Sequence, residues 1–384
     1  MKIVNICRYL EKDFGYHDNI FPYYQKKKGN EVITITSTEQ LHSQEVFEEG
    51  LYIEKNVKVY RLNHYFNLKP RFIKLKGIKK ILMDFKPDLI ISHGIMPINI
   101  LTIINYKKRY KCKFVIDNHA DLENSGKNLL WRKLYYNIFL KNLYKYFDKY
   151  IDKYYGVTPY RMEFLKEEIG IKKEKIGFLP QGYDNELIDS IINKITFPLD
   201  RIEFFKKNYN ININEKDIIF VFGGKIDTGK HFENVIKALD ELKNENIKLI
   251  IFGVINSSEV MSFVKKKSSW IYFVGWKKEK EKYELLLYSD LAIWPKYHTT
   301  LIEDCIGVGL PLLIFKNKNS EYFLEDGNGC FLENESTEEI RNKIKFIIDN
   351  KKLLEYKINA QKAKERFSYD NITKKFFNEL EIIL

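Results

Sequence analysis

A glycine-lysine turn is the first segment of the chain that could bind an anion. Gly223-Gly224-Lys225 follows the apolar run IIFVF, and Lys230 comes five residues after Lys225, before a helix-forming stretch. Glycine lets a backbone approach an anion closely, and two ammonium groups beside a helix N-terminus favour a phosphate. The spacing is not that of a P-loop. The segment therefore predicts either a phosphate site or an ordinary turn.

A second such segment, YHTTLIED at residues 297–304, follows the run DLAIWP. Thr300 and Glu303 match the S/T-x-x-E/Q capping box, so a helix is predicted to begin here. Its first backbone N–H groups suit a diphosphate. Glu303 either caps this helix or accepts hydrogen bonds from ribose hydroxyls. Asp304, which no cap requires, is the better candidate for hydroxyl binding.

Two histidines and one glycine lie at the ends of predicted strands in the first half of the chain. His93 ends the run DLIISH, His119 follows KFVIDN, and Gly15 follows the opening strand. Ligands of open α/β sheets bind beyond the carboxyl ends of the strands, so both histidines are predicted to face one crevice. The alternative is a structural role for each. Gly15 could form a backbone nest for a phosphate.

Alternating strands and amphipathic helices must position these segments, and their apolar runs indicate buried parallel sheets. The predicted strands are Ile3–Cys7, Glu31–Ile35, Val57–Leu62, Leu89–His93, Lys113–Asn118, Lys153–Val157, Ile218–Gly223, Lys248–Gly253, Ile271–Val274, Leu291–Pro295 and Leu310–Phe315. The predicted helices include Leu129–Ile151, Phe232–Leu242 and Asn371–Leu384. A chain of 384 residues exceeds one ordinary domain, so we expect two doubly wound lobes with a cleft, joined through Asp184–Asn210.

The composition excludes several classes of protein. Hydrophobic residues make up 45% and aromatic residues 15% of the chain, which is typical of a globular protein and not of a disordered one. The four cysteines are far apart and form no CxxC pair, so we expect free thiols in a reducing compartment and no zinc site. The N-terminus meets charges immediately and is expected to be a first strand, not a signal peptide.

The net charge of +12 favours anionic partners. Nucleic acid as a partner is supported by charge alone and is not predicted. The basic, aromatic segments Lys69–Lys80 and Lys127–Lys153 suggest peripheral contact with an anionic membrane. For Lys127–Lys153, a solvated helix face over ordinary core explains the same pattern. The chain has no G-x-S-x-G, H-E-x-x-H or G-x-G-x-x-G motif, and no convincing D-x-D turn for chelating a metal.

In order and spacing these segments resemble a GT-B glycosyltransferase of the retaining group called family 4. The resemblance covers nearly the whole chain, from KKKGNEVITITS and FKPDLIISHG through VIDNHAD to FGGKIDTGKHFENVIKAL, DCIGVGLPLLI and LEDGNGCFL. It implies two Rossmann-like domains facing across a cleft. The acceptor-side domain would be 1–184, with the C-terminal helix 371–384 returning to it, and 185–370 would bind the nucleotide sugar.

The resemblance also implies roles for individual residues. Lys225 and Lys230 fall where the family has its donor-phosphate Arg and Lys, and His119 falls on its active-site histidine. Of the family's two glutamates around the donor, the second falls on Asp304, while the first has no counterpart because the loop after Pro295 is shorter. The implied donor-contacting residues are Gly15, Gly224, Val274, Gly275, Trp276, His298, Thr299, Thr300, Leu301 and Asp304, with Glu303 and His93 as less certain members.

The implied activity is transfer of a sugar, as by a hexosyltransferase, from a nucleoside-diphosphate sugar to a hydroxyl of a glycan or lipid-linked acceptor, with retention. No cofactor or metal is expected. The setting implied is bacterial surface-polysaccharide or glycolipid assembly, in the cytoplasm or on the inner face of the cell membrane. Two alternatives stay open: a nucleotide-sugar epimerase, and a non-catalytic nucleotide-sugar- or glycan-binding protein on the same scaffold.

Overall fold

The computed structural model describes residues 1–12, 15–41, 45–69, 71–123, 125, 128–194, 200–226, 231–242, 246–266, 269–296 and 299–383. The chain forms two compact units, Met1–Gln181 with Tyr369–Leu384, and Gly182–Ser368. No helix in the described part of the chain is both long enough and apolar enough to span a bilayer.

The first unit is built on an eight-stranded sheet in the order β10-β9-β8-β7-β1-β2-β4-β3, and β5 pairs with β6 separately. The strands are β1 Lys2–Ile6, β2 Glu31–Ser37, β3 Gly50–Glu54, β4 Val57–Leu62, β5 His64–Leu68, β6 Phe72–Leu75, β7 Leu89–His93, β8 Lys113–Asn118, β9 Lys153–Gly156 and β10 Ile176–Phe178. The α-helices are α1 His17–Lys27, α2 Ile78–Phe85, α3 Ile100–Lys107, α4 Leu129–Trp131, α5 Lys141–Phe147, α6 Pro159–Phe164 and α15 Tyr369–Ile383. All pairings in the large sheet are parallel except β3 with β4.

Alternating side chains of this sheet fill two hydrophobic cores. Ile3 packs with Phe21 of α1 and Phe376 of α15, whereas Val4 and Ile6 pack into the other core. The rings of Phe21 and Phe376 lie 5.2 Å apart, edge to face. The predicted return of the C-terminal helix to the first domain is therefore confirmed, because α15 completes that core.

The second unit contains a six-stranded, fully parallel sheet in the order β13-β12-β11-β14-β15-β16. Its strands are β11 Ile218–Ile226, β12 Ile247–Ile255, β13 Ile271–Phe273, β14 Leu291–Trp294, β15 Leu312–Phe315 and β16 Gly329–Leu332. Its α-helices are α7 Asn185–Lys194, α8 Arg201–Tyr209, α9 Phe232–Leu242, α10 Ser258–Lys266, α11 Glu279–Leu287, α12 Leu301–Val308, α13 Thr337–Asp349 and α14 Lys352–Phe367.

One prediction about the connection between the lobes was wrong. The segment Asp184–Asn210 was predicted as the connection between lobes, but it contains α7 and α8 and belongs to the second unit, where Ile188 and Phe205 join the core. The long helix predicted at Leu129–Ile151 is confirmed as one continuous helical run, in which α4 passes into a π-helix over Arg132–Leu140, then into α5 and a 3-10 turn. The rings of Trp131, at the end of α4, and Tyr135, in the π-helix, stack 4.5 Å apart.

Candidate functional site

In each sheet the direction of strand order reverses at one point, and ligands of open α/β sheets bind there. In the first unit this point lies between β1 and β7, because β2 and β4 extend from one side of β1 and β7 and β8 from the other. In the second unit it lies between β11 and β14. Each unit has chemistry-bearing residues at its own reversal point.

In the first unit a buried carboxylate gathers three histidines. Asp117, at the end of β8, places Oδ2 2.6 Å from Nδ1 of His93 and 3.4 Å from Nε2 of His17, and Oδ1 3.4 Å from Nε2 of His119. Oδ1 also accepts a 2.9 Å hydrogen bond from the backbone N–H of Gly94. The side chain of Asp117 is fully buried. The structure therefore brings the two predicted histidines, His93 and His119, to one carboxylate.

Sequence reasoning missed His17 and Asp117. His17 is the first residue of α1, and its ring stacks on Phe21 at 4.8 Å, so the pattern around it is that of any buried helix start. Asp117 lies in a strand whose other residues are mostly apolar. The only available signal was a carboxylate two residues before His119, which is weak alone.

A cavity of about 320 Å³ adjoins the cluster, and a smaller one of about 110 Å³ shares Arg8, Gly94 and His119 with it. Gly94 has a φ of +85°, and a Cβ atom at this position would lie 3.4 Å from a guanidinium nitrogen of Arg8. Arg8 follows β1, so the cavity combines a cation with the histidine cluster. Predicted residue Gly15 lies two residues before α1, and Tyr16 and His17 line the larger cavity.

The pKa values of two histidines in the cluster are shifted in opposite directions. Burial opposes protonation of His93, but the carboxylates of Asp117 and Asp18 outweigh it and raise the pKa of His93 to about 9. Burial lowers the pKa of His17, although Asp117 counteracts part of that effect. Burial also opposes ionisation of Asp117, yet His93 and His119 hold its pKa well below the ordinary value.

These shifts predict a stability maximum near pH 6.5 for the first unit. The raised pKa of His93 stabilises the folded state fully below its ordinary value of 6.5, and this contribution is lost as pH rises through about 9. The lowered pKa of His17 stabilises the fold above 6.5, and this contribution is lost as pH falls below that value. Protection factors of the β7 and β8 amides, which correct hydrogen exchange for the intrinsic rise of its rate with pH, measure the loss of stability on both sides of pH 6.5. His93→Gln should abolish the loss at alkaline pH, and a higher protection factor at pH 9 than at pH 6.5 in the wild type would contradict the assignment.

The same residues include candidate ligands for a metal ion. His17, His93 and Asp117 bring ligand atoms within 4.8 Å of one another, as do Asp18, His93 and His119. Two ligands of one tetrahedral zinc ion lie about 3.3 Å apart, whereas Nδ1 of His93 and Oδ2 of Asp117 are separated by 2.6 Å, the length of a charge-assisted hydrogen bond. An imidazolium also has no lone pair for a metal. The arrangement fits proton sharing better than metal binding.

The turn predicted at Gly223-Gly224-Lys225 was wrong, because these residues continue strand β11, and there they lie near a helix N-terminus. A Cβ atom at Gly224 would lie 3.8 Å from Cδ1 of Leu301, the first residue of α12. The indole N–H of Trp294, at the end of β14, donates a 3.0 Å hydrogen bond to the carbonyl of Gly223. Lys225 is exposed. The predicted residues Lys230 and His298 lie outside the described residues.

The predicted nucleobase segment lies near Gly224 because the backbones of Gly224, Gly253 and Gly275 approach one another closely. The N–H of Gly253 donates a 2.9 Å hydrogen bond to the carbonyl of Gly275. A Cβ atom at Gly253 would lie only 2.1 Å from the carbonyl oxygen of Gly224. Val274 precedes Gly275, and Trp276, which is 65% exposed, follows it. The structure therefore brings Gly224 of β11, the predicted base segment and the start of α12 to one edge of the sheet.

The capping box predicted at Thr300 and Glu303 was wrong. Thr300 does precede α12, but its φ of −64° and ψ of −10° are helical and its side chain makes no capping hydrogen bond. A capping residue needs extended backbone to aim its oxygen at the helix. The hydroxyl of Thr299 accepts from the N–H of Leu301 at 3.4 Å instead. Glu303 is buried, with 1% of its surface exposed.

Asp304, predicted to bind sugar hydroxyls, makes contacts within the unit. Its two carboxylate oxygens accept hydrogen bonds of 2.6 Å from the ammonium of Lys282 and the hydroxyl of Tyr283. Both partners belong to α11, so Asp304 ties α11 to α12. A sugar hydroxyl would have to compete with these two donors.

Sequence reasoning also missed a charged triad near the predicted site. Nζ of Lys296, two residues after β14, lies 2.8 Å from Nε2 of His231 and 3.2 Å from a carboxylate oxygen of Glu335. His231 has a φ of +55°, a conformation that residues other than glycine adopt infrequently. A backbone N–H and then the Lys296 ammonium lower the pKa of Glu335. The three residues come from segments that are far apart in the sequence, so no local sequence pattern indicates the triad.

Comparison with known proteins supplies the family. A model described as Glycosyltransferase Family 4 matches residues 23–187, and one described as Glycosyl transferases group 1 matches residues 203–364. An uncharacterized glycosyltransferase of Methanocaldococcus jannaschii is 26% identical over 251 residues, which cover 62% of this chain and 57% of that relative.

Solved structures share the fold at low identity. A glycosyltransferase of Rickettsia africae aligns with a TM-score of 0.72 and 17% identity, covering 100% of this chain and 98% of the other. Anabaena HepE, solved in complex with UDP, aligns with a TM-score of 0.70 and 14% identity, covering 99% and 100%. Both similarities confirm the predicted two-domain arrangement of Rossmann-like sheets as the fold class.

Proposed function

The chain belongs to the family 4-like glycosyltransferases of the GT-B fold, and from that membership we propose that it moves a sugar from a nucleoside-diphosphate sugar to an acceptor hydroxyl with retention. The observation that supports this most strongly is the approach of Gly224, the residue before Lys225, to the N-terminus of α12 at the reversal point of the second sheet. Backbone N–H groups and an ammonium group at one place suit a diphosphate.

The chemistry follows from where charge develops. As the bond between the anomeric carbon and the diphosphate breaks, negative charge accumulates on the leaving group. Lys225, Lys230 and the N-terminus of α12 are proposed to stabilise that charge, and groups fixed in advance do so without reorganising. Backbone groups of Val274 and Gly275 are proposed to bind the nucleobase. In Anabaena HepE the partner is UDP, so a uridine donor is the first to test.

His119 is proposed to bind a sugar hydroxyl and is not assigned as a base. It lines the cavity of about 320 Å³ together with Arg8 and Gln181. An Arg beside a hydroxyl-binding histidine suits a glycan or lipid-linked acceptor that carries a phosphate. The proposed setting is assembly of a bacterial surface polysaccharide or glycolipid.

A panel of nucleotide sugars tests this function, with each incubated alone and with candidate acceptors. Transfer or slow hydrolysis of one donor, with the product anomer established by NMR, supports a retaining glycosyltransferase. Conversion of the donor to its epimer without an acceptor would favour the epimerase instead. Saturable binding of a nucleotide sugar with no turnover would favour a non-catalytic binding protein.

Peripheral contact with an anionic membrane is part of the proposal. Lys76, Lys79 and Lys80 are exposed at the start of α2. Nearby exposed apolar side chains include Tyr65 at 69% and Met83 at 42%. Tyr65, Lys79 and Met83 all line one groove of about 450 Å³. Basic and apolar groups on one surface suit a bilayer that contains anionic lipid.

Reversing three of these charges should abolish that contact. Each basic residue near an anionic surface contributes about 1 kcal/mol, so Lys76→Glu, Lys79→Glu and Lys80→Glu together should weaken co-sedimentation with anionic vesicles about 100-fold or more. The matched control reverses three exposed lysines of the second unit, Lys345, Lys357 and Lys362. Equal binding of both triple variants, or equal binding of wild type to neutral phosphatidylcholine vesicles, would overturn the membrane proposal.

A further inference from the structure

The buried carboxylate of Asp117 determines which nitrogens of the surrounding histidines hold protons. An ionised carboxylate only accepts hydrogen bonds. Each ring nitrogen that faces it is stabilised when it bears a proton, which applies to Nδ1 of His93 at 2.6 Å and to Nε2 of His17 and His119 at 3.4 Å. The N–H of Gly94 supplies the remaining donor, at 2.9 Å.

His93 is the partner that keeps Asp117 ionised. Its Nε2 lies 2.9 Å from Oδ1 of Asn5, and the amide of Asn5 is oriented by a 2.7 Å hydrogen bond from its Nδ2 to Oε1 of Gln25. Asn5 therefore presents an oxygen, which accepts, to the second nitrogen of His93. Both ring nitrogens of His93 donate, so the residue is an imidazolium paired with Asp117.

The other two histidines face a donor on their second nitrogen. Nδ1 of His17 lies 3.1 Å from the hydroxyl of Tyr369, and Nδ1 of His119 lies 3.4 Å from Nε2 of the Gln181 amide. A tyrosine hydroxyl can donate or accept, whereas the Gln181 amide nitrogen only donates, so the contact at His119 suits a lone pair on Nδ1 and a proton on Nε2. His17 is buried, whereas the side chain of His119 is 30% exposed and lines the cavity with Gln181.

Other charged groups face the cluster. Asp18 of α1 places a carboxylate oxygen 3.5 Å from Nδ1 of His93. Arg8, after β1, lines the same cavity, and Tyr369 of α15 contacts His17. Asp18 reinforces the charge on His93, while Arg8 favours ionised Asp117.

We propose that Asp117 is a positioning residue that fixes His119 as the Nε2–H tautomer, so that Nδ1 faces the cavity as an acceptor for a ligand hydroxyl. This inference rests on the proposed function for the identity of the ligand, a sugar hydroxyl, which would take the place of the Gln181 amide as donor. His93 acts through Asp117, because it supplies the positive charge that keeps the carboxylate ionised. The ligand class is a hydroxyl that donates, and a fluorine or an ether oxygen there would not be bound.

Nuclear magnetic resonance of the full chain tests the tautomers without any substrate. Histidine is labelled with ¹⁵N, and long-range ¹H–¹⁵N correlations are recorded at pH 8, with single His→Gln variants for assignment among the seven histidines. We expect His93 doubly protonated and His119 as the neutral Nε2–H form. In Asp117→Asn, His93 should become neutral at pH 8 and His119 should populate both tautomers. A wild-type His119 with its proton on Nδ1, or a neutral His93, would overturn the proposal.

Enzyme kinetics distinguish a positioning role of Asp117 from a purely structural one. Asp117→Asn should lower kcat/KM about 10- to 100-fold, the range found when a metal-bound histidine loses its orienting partner. It should also move any loss of activity that follows the raised pKa of His93, about 9, to lower pH, because Asp117 raises that pKa. The matched control is Glu39→Gln, because Glu39 lies 3.4 Å from Nε2 of His64 outside the cavity. If Glu39→Gln has the same kinetic effect, or Asp117→Asn keeps the wild-type pH profile, the positioning role is rejected. Absence of any transfer by wild type contradicts the proposed function, while the tautomer result still decides the role of Asp117.

Discussion

Replacement of Lys225 by alanine is expected to reduce kcat for sugar transfer about 100- to 1,000-fold, the usual cost of removing one preorganised group that stabilises developing charge. Lys225 follows Gly224 at the end of β11, next to the N-terminus of α12. In the ground state the charge is already spread over the diphosphate, whereas it grows on the leaving oxygen in the transition state. The effect should therefore appear in kcat more than in KM.

Two further variants sharpen this prediction. Lys225→Arg keeps the positive charge and should retain most of the activity. Lys216→Ala removes an exposed lysine before the other end of the same strand and should behave like wild type. Steady-state kinetics with the preferred donor measure all three. Wild-type turnover by Lys225→Ala with unchanged donor affinity would remove Lys225 from the proposed site.

Replacement of Gly253 by alanine is expected to destabilise the second unit by about 3–5 kcal/mol, as overpacking and backbone strain combine. Gly253 has a φ of +112°, and its Cβ would lie 2.1 Å from the carbonyl oxygen and 3.0 Å from the nitrogen of Gly224. The neighbour is backbone and cannot rotate away. The backbone of β11 at Gly224 would have to move, so donor affinity should fall as well.

Gly275 is a matched control that distinguishes the steric clash at Gly253 from the strain of a positive φ. Gly275 also has a positive φ, +73°, but among the described residues no atom lies within 4 Å of the position of its Cβ. Gly275→Ala should cost only about 1–2 kcal/mol, the penalty for left-handed backbone. Urea unfolding of both variants, followed by fluorescence in a background with Trp131, Trp270 and Trp276 replaced by Phe, so that Trp294 of the second unit is the remaining tryptophan, provides the comparison. Equal losses of stability in the two variants would show that the close approach at Gly253 does not constrain the backbone of Gly224.

The sequence predicted the buried parallel strands well because their signal is local. Every predicted strand corresponds to an observed one, and Val57–Leu62, Leu89–His93 and Lys113–Asn118 have the predicted bounds. The strands β3, β5, β6, β10 and β16 were not predicted. Tyr65 and Leu68 of β5 are more than half exposed, so that strand lacks the continuous apolar pattern of a buried one. The others are short or have only one buried face.

The candidate site was predicted in part, and the missing part is tertiary. His93 and His119 were predicted from their places at strand ends, but Asp117 needs the β7–β8 register to reveal its role, since that register pairs His93 with Asp117 directly. The capping box at Thr300 failed for a different reason. A four-residue motif does not specify ψ, and the helical backbone of Thr300 turns its hydroxyl away from the helix N–H groups.

A crystal structure of the protein with a bound nucleoside diphosphate tests the central claim most directly. The account predicts phosphate oxygens within about 3 Å of Nζ of Lys225 and of the backbone N–H of Leu301, with the base against Val274 and Gly275. A diphosphate bound away from the β11–β14 reversal point, or bound there without contact to Lys225 or Leu301, would contradict it.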